Sequence, residues 1–463
     1  FTTQAITRDY AESLMKMVTP VCESTAELMA AIEGIHAYVH RHLGEETLWP
    51  LSMPCRLDGE QSIPIAHYGT SNIGMLKTVY RRGLAWRYGR IMQSIAGTHY
   101  NFSLPDAFWR QWQQQLGDPG PLADFRTQQY FWLIRNFRRQ SWLLMYLFGA
   151  SPALDTSFMN GSRSGLAPLG DRTLFQQGAT SLRMSDLGYN NQAQSSLDIC
   201  FNRLETYTDT LENAIHTTWP PYQEIGLFRD GERIQINDSV LQIENEYYSA
   251  IRPKRTTESG EKPLHALQER GVEYVEVRCL DLDPFSAVGV NEDQLDFMDL
   301  FLLHCLVSDS PLIDDNECES LDNAFQDVVR HGRDPDARFC FGAGAEPLAQ
   351  AGHRILDQMG ELAAVLPGAE RYQAVLATMR ARLDDPAQTP SGRLLSELGE
   401  GRELVDWGLA KASAQQAQVR AQATDDWDAH LAEQARQSLA DQKAVEDAES
   451  EDFETFLARY LAE

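Results

Sequence analysis

Val272-Glu273-Tyr274-Val275-Glu276-Val277-Arg278 alternates polar and apolar side chains and reads as a strand. Successive side chains on a strand point to opposite faces, so Tyr274, Glu276 and Arg278 share one face, roughly 7 Å apart at alternate positions, and Val275 and Val277 share the other. Thr98-His99-Tyr100-Asn101-Phe102-Ser103-Leu104 alternates in the same way. It sets His99, Asn101 and Ser103 against Tyr100, Phe102 and Leu104. Gln242-Ile243-Glu244-Asn245-Glu246-Tyr247-Tyr248 reads as a third strand, with Gln242, Glu244, Glu246 and Tyr248 together. Two readings stand: an antiparallel sheet with one face in water, or polar faces lining a cleft.

Helical periodicity surrounds these strands. Leu28, Met29, Ile32, Ile35 and Val39 recur at helical spacing between Thr25 and His42, with Glu27, Glu33 and Arg41 on the other side. Further helices are predicted over about 76–92, 122–148, 292–307, 348–366 and 372–383. Breaker-rich runs follow the first helix at Trp49-Pro50-Leu51-Ser52-Met53-Pro54 and Tyr68-Gly69-Thr70-Ser71-Asn72-Ile73-Gly74. Residues 421–463 hold twelve acids and three bases, which predicts a solvated helical or partly disordered end. The fold class expected is α+β.

Composition narrows the function. The 463 residues carry 67 acidic and 40 basic side chains, a net charge of −27. That balance argues against a nucleic-acid binder, whose affinity comes from Lys and Arg replacing counterions, yet an acidic whole can hold a local basic pocket. Seven cysteines with no Cys-x-x-Cys pair fit neither a disulfide scaffold nor a zinc module, so a reducing cytoplasm is expected. Arg135, Arg138 and Arg139 interrupt the hydrophobic run 132–154, which argues against a membrane span. Phe1 rather than Met stands first, which reads as a chain lacking its native start.

Glycine-rich phosphate loops, a Gly-x-Ser-x-Gly elbow and His-Glu-x-x-His are all missing from the sequence. His36 and His40 have metal-ligand spacing, but nothing nearby completes a site, and an ordinary helix surface is the expectation. The stronger constellation is distributed: His99, Glu276 with Arg278, Glu244 with Glu246, and Arg183-Met184-Ser185-Asp186-Leu187-Gly188-Tyr189. Carboxylates and an imidazole can hold Mg²⁺, and an arginine can clamp a phosphate bidentately. These are parts for phosphoryl transfer.

Eight motifs in order carry a family resemblance: 49–55, 68–72, Gly97-Thr98-His99-Tyr100-Asn101-Phe102-Ser103-Leu104-Pro105, 148–152, Thr180-Ser181-Leu182-Arg183-Met184-Ser185-Asp186-Leu187-Gly188-Tyr189, 241–246, Ile251-Arg252-Pro253-Lys254-Arg255 and 273–278. Together they resemble the proteobacterial glutamate–cysteine ligases. The resemblance implies a glutamine-synthetase-like fold, in which a curved antiparallel sheet with surrounding helices forms a funnel. It implies a catalytic domain over 1–390 and a helical acidic extension over 391–463. It further implies ATP-dependent joining of the glutamate γ-carboxylate to the cysteine amine through an acyl phosphate, the first step of glutathione synthesis, in a cytoplasmic monomer acting on small molecules.

By position, the resemblance implies Asp9, His99 and Glu276 as ligands of Mg²⁺ or Mn²⁺, and Arg278 as a catalytic contact to the ATP phosphates. It implies Tyr80, Arg183, Tyr189 and Tyr248 as the amino-acid pocket, with Arg183 pairing a substrate carboxylate. Two departures stand out. The family's opening Glu-x-Glu strand has no counterpart before Phe1, and Lys16 stands where the family has a metal-binding glutamate. An ammonium there would repel the ion by several kcal/mol at short range and low effective dielectric. The rival expectation is therefore a degenerate ligase fold that binds amino acid or nucleotide without turnover, with a ligase for another amine as an intermediate case.

Overall fold

The structure is a computed structural model that describes residues 3–159, 165–188, 193–194, 197, 199–342, 344–399, 401–421 and 425–462. It opens with a hairpin of β1 (Ile6–Arg8) and β2 (Met15–Met17), followed by α1 (Thr25–His42) and α2 (Asn72–Tyr88). The next elements used below are β3 (Thr98–Phe102), α3 (Leu122–Phe148), β4 (Ile251–Lys254) and β5 (Tyr274–Leu280). Helices α4 (Glu292–Val307), α5 (Asp315–His331), α6 (Leu348–Ala363), α7 (Ala369–Asp384), α8 (Leu404–Arg420), α9 (Asp425–Ala448) and α10 (Phe453–Ala462) complete them.

Capping explains where the early helices start. Ser24 Oγ accepts from the Glu27 amide to begin α1, and Ser71 Oγ accepts from the Gly74 amide to begin α2. The hydrophobic stretch predicted not to cross a membrane is α3, the centre of the main core. Leu133, Ile134, Phe137, Leu143, Leu144 and Leu147 are all 0% exposed there. Its arginines are held inside the fold: Arg135 donates to Ser310 and Asn202 O, and Arg139 pairs with Glu317 at 2.6 Å. No helix among the described residues is long and apolar enough to cross a membrane.

The functional sheet has three antiparallel strands in the order β3-β5-β4. Glu276 stands opposite Asn101 on one side and Arg252 on the other, and Tyr274 stands opposite Lys254. Val275, Val277 and Cys279 are 0% exposed and pack with Tyr100 and Phe102 into the core under α3. The expected single funnel sheet is divided into small antiparallel sheets; the β1–β2 hairpin is separate from the three-stranded sheet. Pro253 has no amide proton to donate, and it lies on the edge strand β4, where that is tolerated.

Two expectations about elements are corrected. Residues 242–248 form no strand: Glu244–Glu246 is a single 3-10 turn. Glu246 Oε2 accepts from the Gln242 amide at 2.7 Å, and Oε1 meets Arg87 Nη1 at 3.0 Å, so this carboxylate closes a local turn and faces α2. The acidic end is docked: Leu431 of α9 packs with Ile35, Tyr38 and Val39 of α1, and Leu457 of α10 packs on Val79 of α2. Its charge pattern is that of a solvated helix, while a few apolar residues, Trp427 and Leu431 in α9 and Phe456 and Leu457 in α10, are enough to seat it. The proposed extension begins at the helix Pro390–Leu398, whose Leu394 and Leu398 pack with Leu51 and Ala153 of the preceding region.

Candidate active site

The polar face of the sheet is buried at its centre and open at its rim, where Asn101 is exposed and the side chains of His99 and Arg278 keep 26% and 22% of their surface; that is the pattern of a cleft. Glu276 is 8% exposed and Arg252 4%, far less than a face open to water would allow. Glu276 divides its oxygens, Oε1 lying 3.4 Å from His99 Nδ1 and Oε2 3.1 Å from Arg278 Nη1. Burial alone would raise this carboxyl; His99, Lys254 and Arg278 together hold it well below the usual carboxylate range. His99 is pushed below the ordinary imidazole value by burial and by the charges of Arg278 and Lys16, against the opposing pull of Glu276. Burial lowers Lys254 to about 8, although Glu276 favours its charged form.

Arg252, Lys254 and Lys16, to which the sequence reading gave no binding role, lie beside the His99–Glu276 pair. Arg252 and Lys254 alternate on β4, two residues apart, so they share the face of Glu276 and Arg278. The signal was present in Ile251-Arg252-Pro253-Lys254, but the proline masks it as a strand. Arg252 donates to the carbonyls of Asn245, at 3.0 Å, and Tyr247. Its guanidinium is pushed down by burial and by neighbouring Arg278. Lys16 projects from β2 close enough for its ammonium to disfavour protonation of His99.

The proposed pocket residues are distributed as follows. Tyr80, on α2, feels Glu246, Tyr248 and Arg252, and burial raises its hydroxyl well above the usual phenol value. Tyr248 donates its hydroxyl toward Gln93 Oε1 at 3.3 Å. Tyr189 lies outside the described residues. Arg183 is 1% exposed; its Nε donates to Asp281 Oδ1 at 2.6 Å and its Nη2 to Cys279 O at 2.6 Å. Asp281 also accepts from Ser181 Oγ and the Ala150 amide, at 3.0 and 2.7 Å. These contacts make Arg183 a buried tie between the 180–188 segment and the end of β5, which does not fit direct pairing with a substrate carboxylate. Glu244 lies in a separate small cavity with His216, Lys262 and His265.

The proposed metal set is only partly assembled. His99 and Glu276 meet, but Asp9 is exposed in the β1–β2 turn, its carbonyl accepting from Arg81 Nε at 2.5 Å and Tyr68 Oη at 3.0 Å. Among the described residues no three His, Cys, Asp or Glu side chains form a group able to hold a metal ion. His36 and His40 likewise form no such group; His40 is 2% exposed, so the pair belongs to the interior side of α1 and not to its surface. Around His99 and Glu276 stand four cationic side chains, Lys16, Arg252, Lys254 and Arg278. With Glu244 acting on Lys254 as well as Glu276, two carboxylates face four cations, and that net positive balance fits a polyanion.

A three-stranded antiparallel sheet with a net cationic, partly buried polar face is the frame of the candidate site. The profile of the glutamate–cysteine ligase family matches residues 1–328. The glutamate–cysteine ligase of Hahella chejuensis is 51% identical, covering 98% of this chain and 89% of its own length. That of Pseudomonas fluorescens is 45% identical, covering 100% of this chain and 88% of its own. The solved glutamate–cysteine ligase of Francisella tularensis, in complex with AMP, superposes with a TM-score of 0.93 at 32% identity, covering 99% of this chain and 91% of that one. A bifunctional glutathione synthetase from Pasteurella multocida gives 0.72 at 25% identity, covering 90% of this chain and 48% of that one. The chain belongs to the glutamate–cysteine ligase family.

Proposed function

We propose that this protein joins the γ-carboxylate of glutamate to the amine of cysteine at the expense of ATP. The observation that carries the reading is the cleft in which Arg252, Lys254 and Arg278 of the three-stranded sheet and Lys16 of the β1–β2 hairpin lie near the His99–Glu276 pair. A triphosphate repels an incoming carboxylate, and fixed cations at the phosphate oxygens offset that repulsion without reorganising during the reaction. A γ-carboxylate oxygen attacks the γ-phosphorus, the bond to ADP breaks, and γ-glutamyl phosphate forms. The cysteine nitrogen then attacks the acyl carbon, phosphate leaves with the bonding pair, and the amine releases a proton. No protein nucleophile is needed.

Arg278 and Lys254 hold the transferring phosphate in this reading, and Glu276 holds Arg278 at 3.1 Å in the orientation required. Tyr80 and Tyr248, with Tyr189 carried over from the family resemblance, form the amino-acid pocket. Arg183 acts as a positioning residue through Asp281. Magnesium enters as an expectation from the same resemblance and belongs in the assay. All seven cysteines are free thiols, which supports a reducing compartment such as the cytoplasm, and we read the working form as a monomer.

The test is ADP formation by the purified chain with ATP, Mg²⁺, glutamate and cysteine. ADP release that requires both amino acids is the expected result; none with cysteine present rejects the ligase reading. The second reading, binding without turnover, is favoured by Lys16 beside His99. Calorimetric ATP binding with no ADP release, and turnover gained in Lys16→Glu, would support it.

A further inference from the structure

The two C-terminal helices reach the candidate site through α2. Glu446 Oε1 of α9 accepts from the Thr70 amide at 2.8 Å, and just beyond the helix Glu449 Oε1 accepts from the Asn72 amide at 2.5 Å. Asn72 returns a bond from Nδ2 to Glu451 O at 3.0 Å. Between these anchors Gly69 adopts φ +85°, and a Cβ there would lie 2.5 Å from both Gln442 Nε2 and Glu446 Oε1. The positive φ favours glycine, and a Cβ would force the ends of Gln442 and Glu446 to shift. Farther along, Leu457 of α10 packs on Val79, both at most 1% exposed, and Arg233 binds Glu454 at 2.8 Å.

What α2 carries makes these contacts consequential. Tyr80 follows Val79 directly and points toward the region of Tyr248 and Arg252. Arg81 donates to Asp9 O at 2.5 Å, and Tyr68, just before the anchored segment, donates to Arg8 O at 2.6 Å. The 68–81 segment thus links the acidic helices on one side to the β1–β2 turn and the amino-acid pocket on the other. Glu449 on the Asn72 amide complements the dipole of α2 and satisfies a donor that the helix cannot, and Glu446 holds Thr70, the residue before the N-cap Ser71.

We propose that α9 and α10 are a positioning strap, in which Glu446 and Glu449 fix the first turn of α2 and thereby the placement of Tyr80 and the Asp9 turn. The kinetic part of this rests on the ligase reading above; the structural part does not. The full chain is compared with Glu446→Ala/Glu449→Ala, with Glu446→Gln/Glu449→Gln, and with Glu433→Ala as a control on the exposed side of α9. Hydrogen exchange is followed over residues 68–81, and KM for glutamate and kcat are measured alongside.

Exchange over the first turn of α2 should accelerate about tenfold in the alanine pair, as expected for loss of charge-assisted bonds to the Thr70 and Asn72 amides. KM for glutamate should rise several-fold with kcat changed less. The glutamine pair retains an acceptor oxygen and should restore most of both, and Glu433→Ala should match the parent. Unchanged exchange in the alanine pair overturns the strap. Faster exchange with unchanged KM in an active chain overturns the positioning role, and so does a loss that the glutamine pair fails to restore. A parent without turnover rejects the ligase reading and leaves the exchange result to decide the strap.

Discussion

Glu276 organises the site because its two oxygens serve different partners, His99 and Arg278, while Lys254 lies near enough to favour its charge. Lys254 and Arg278 are thereby held beside one another on this face, while Arg252 is tied to the carbonyls of Asn245 and Tyr247. Removing one charge-assisted contact to a ligand phosphate costs about 1.5–3 kcal/mol, or roughly tenfold to a hundredfold in affinity. Arg278→Met and Lys254→Met should each weaken ATP binding by that amount in calorimetry without magnesium. Changes below about threefold in both would show that the triphosphate lies elsewhere.

Lys254 also gives the site a pH dependence. Its folded value, about 8, lies below the ordinary 10.5 of lysine. Between those two values the folded chain has released a proton that the unfolded chain retains, so this group adds stability as pH rises through the window. A bound triphosphate acts in the opposite sense by favouring the ammonium. ATP affinity should therefore fall as pH rises through about 8, with proton uptake on binding visible as a heat that depends on the buffer's ionisation enthalpy. Lys254→Met should abolish both effects; an affinity flat across this range in the parent would remove Lys254 from the phosphate site.

At the scale of elements, the Arg183–Asp281 pair fastens the 180–188 segment to the end of β5. Both side chains are at most 1% exposed, so removing one partner leaves a buried charge uncompensated. Arg183→Met should cost about 3–5 kcal/mol in denaturant unfolding. A loss under about 1 kcal/mol with a large rise in KM would return Arg183 to the role of direct substrate contact. Helix packing gives a second prediction. A Cβ on Gly34 of α1 would lie 2.4 Å from the Trp427 ring of α9. Gly34→Ala should consequently raise the protease sensitivity of α9, although alanine favours helix in isolation. Unchanged sensitivity would mean that the ring can give way.

The same scale shows what the sequence could and could not reveal. Strands β3 and β5 were legible because their polar and apolar residues alternate over a full span, and burial follows that alternation: Val275 and Val277 face the core. The stretch 242–248 alternates equally well but turns, because Glu246 finds the Gln242 amide and Arg87 nearby. Period-two patterning cannot foresee a carboxylate that captures its own backbone. The short hairpin β1–β2, three residues in each strand, is below the length at which alternation is informative.

Over the whole molecule, a net charge of −27 coexists with a local cluster of four cations facing Glu276 and Glu244. Composition showed the acidic balance and argued against a phosphate-backbone binder, but only tertiary structure brings Lys16 of the β1–β2 hairpin close to Arg252, Lys254 and Arg278 of the three-stranded sheet. The pairing of His99 with Glu276 was legible through the motif set; the commitment of Arg183 to Asp281 was not, because the two lie 98 residues apart in sequence. Family membership and the cleft together make transfer of phosphate to a carboxylate the central claim. That claim is tested most directly by supplying glutamate with heavy oxygen in its γ-carboxylate, together with ATP, Mg²⁺ and cysteine, and analysing the phosphate released. An acyl phosphate leaves one labelled oxygen in each phosphate formed; unlabelled phosphate accompanied by γ-glutamylcysteine would contradict it.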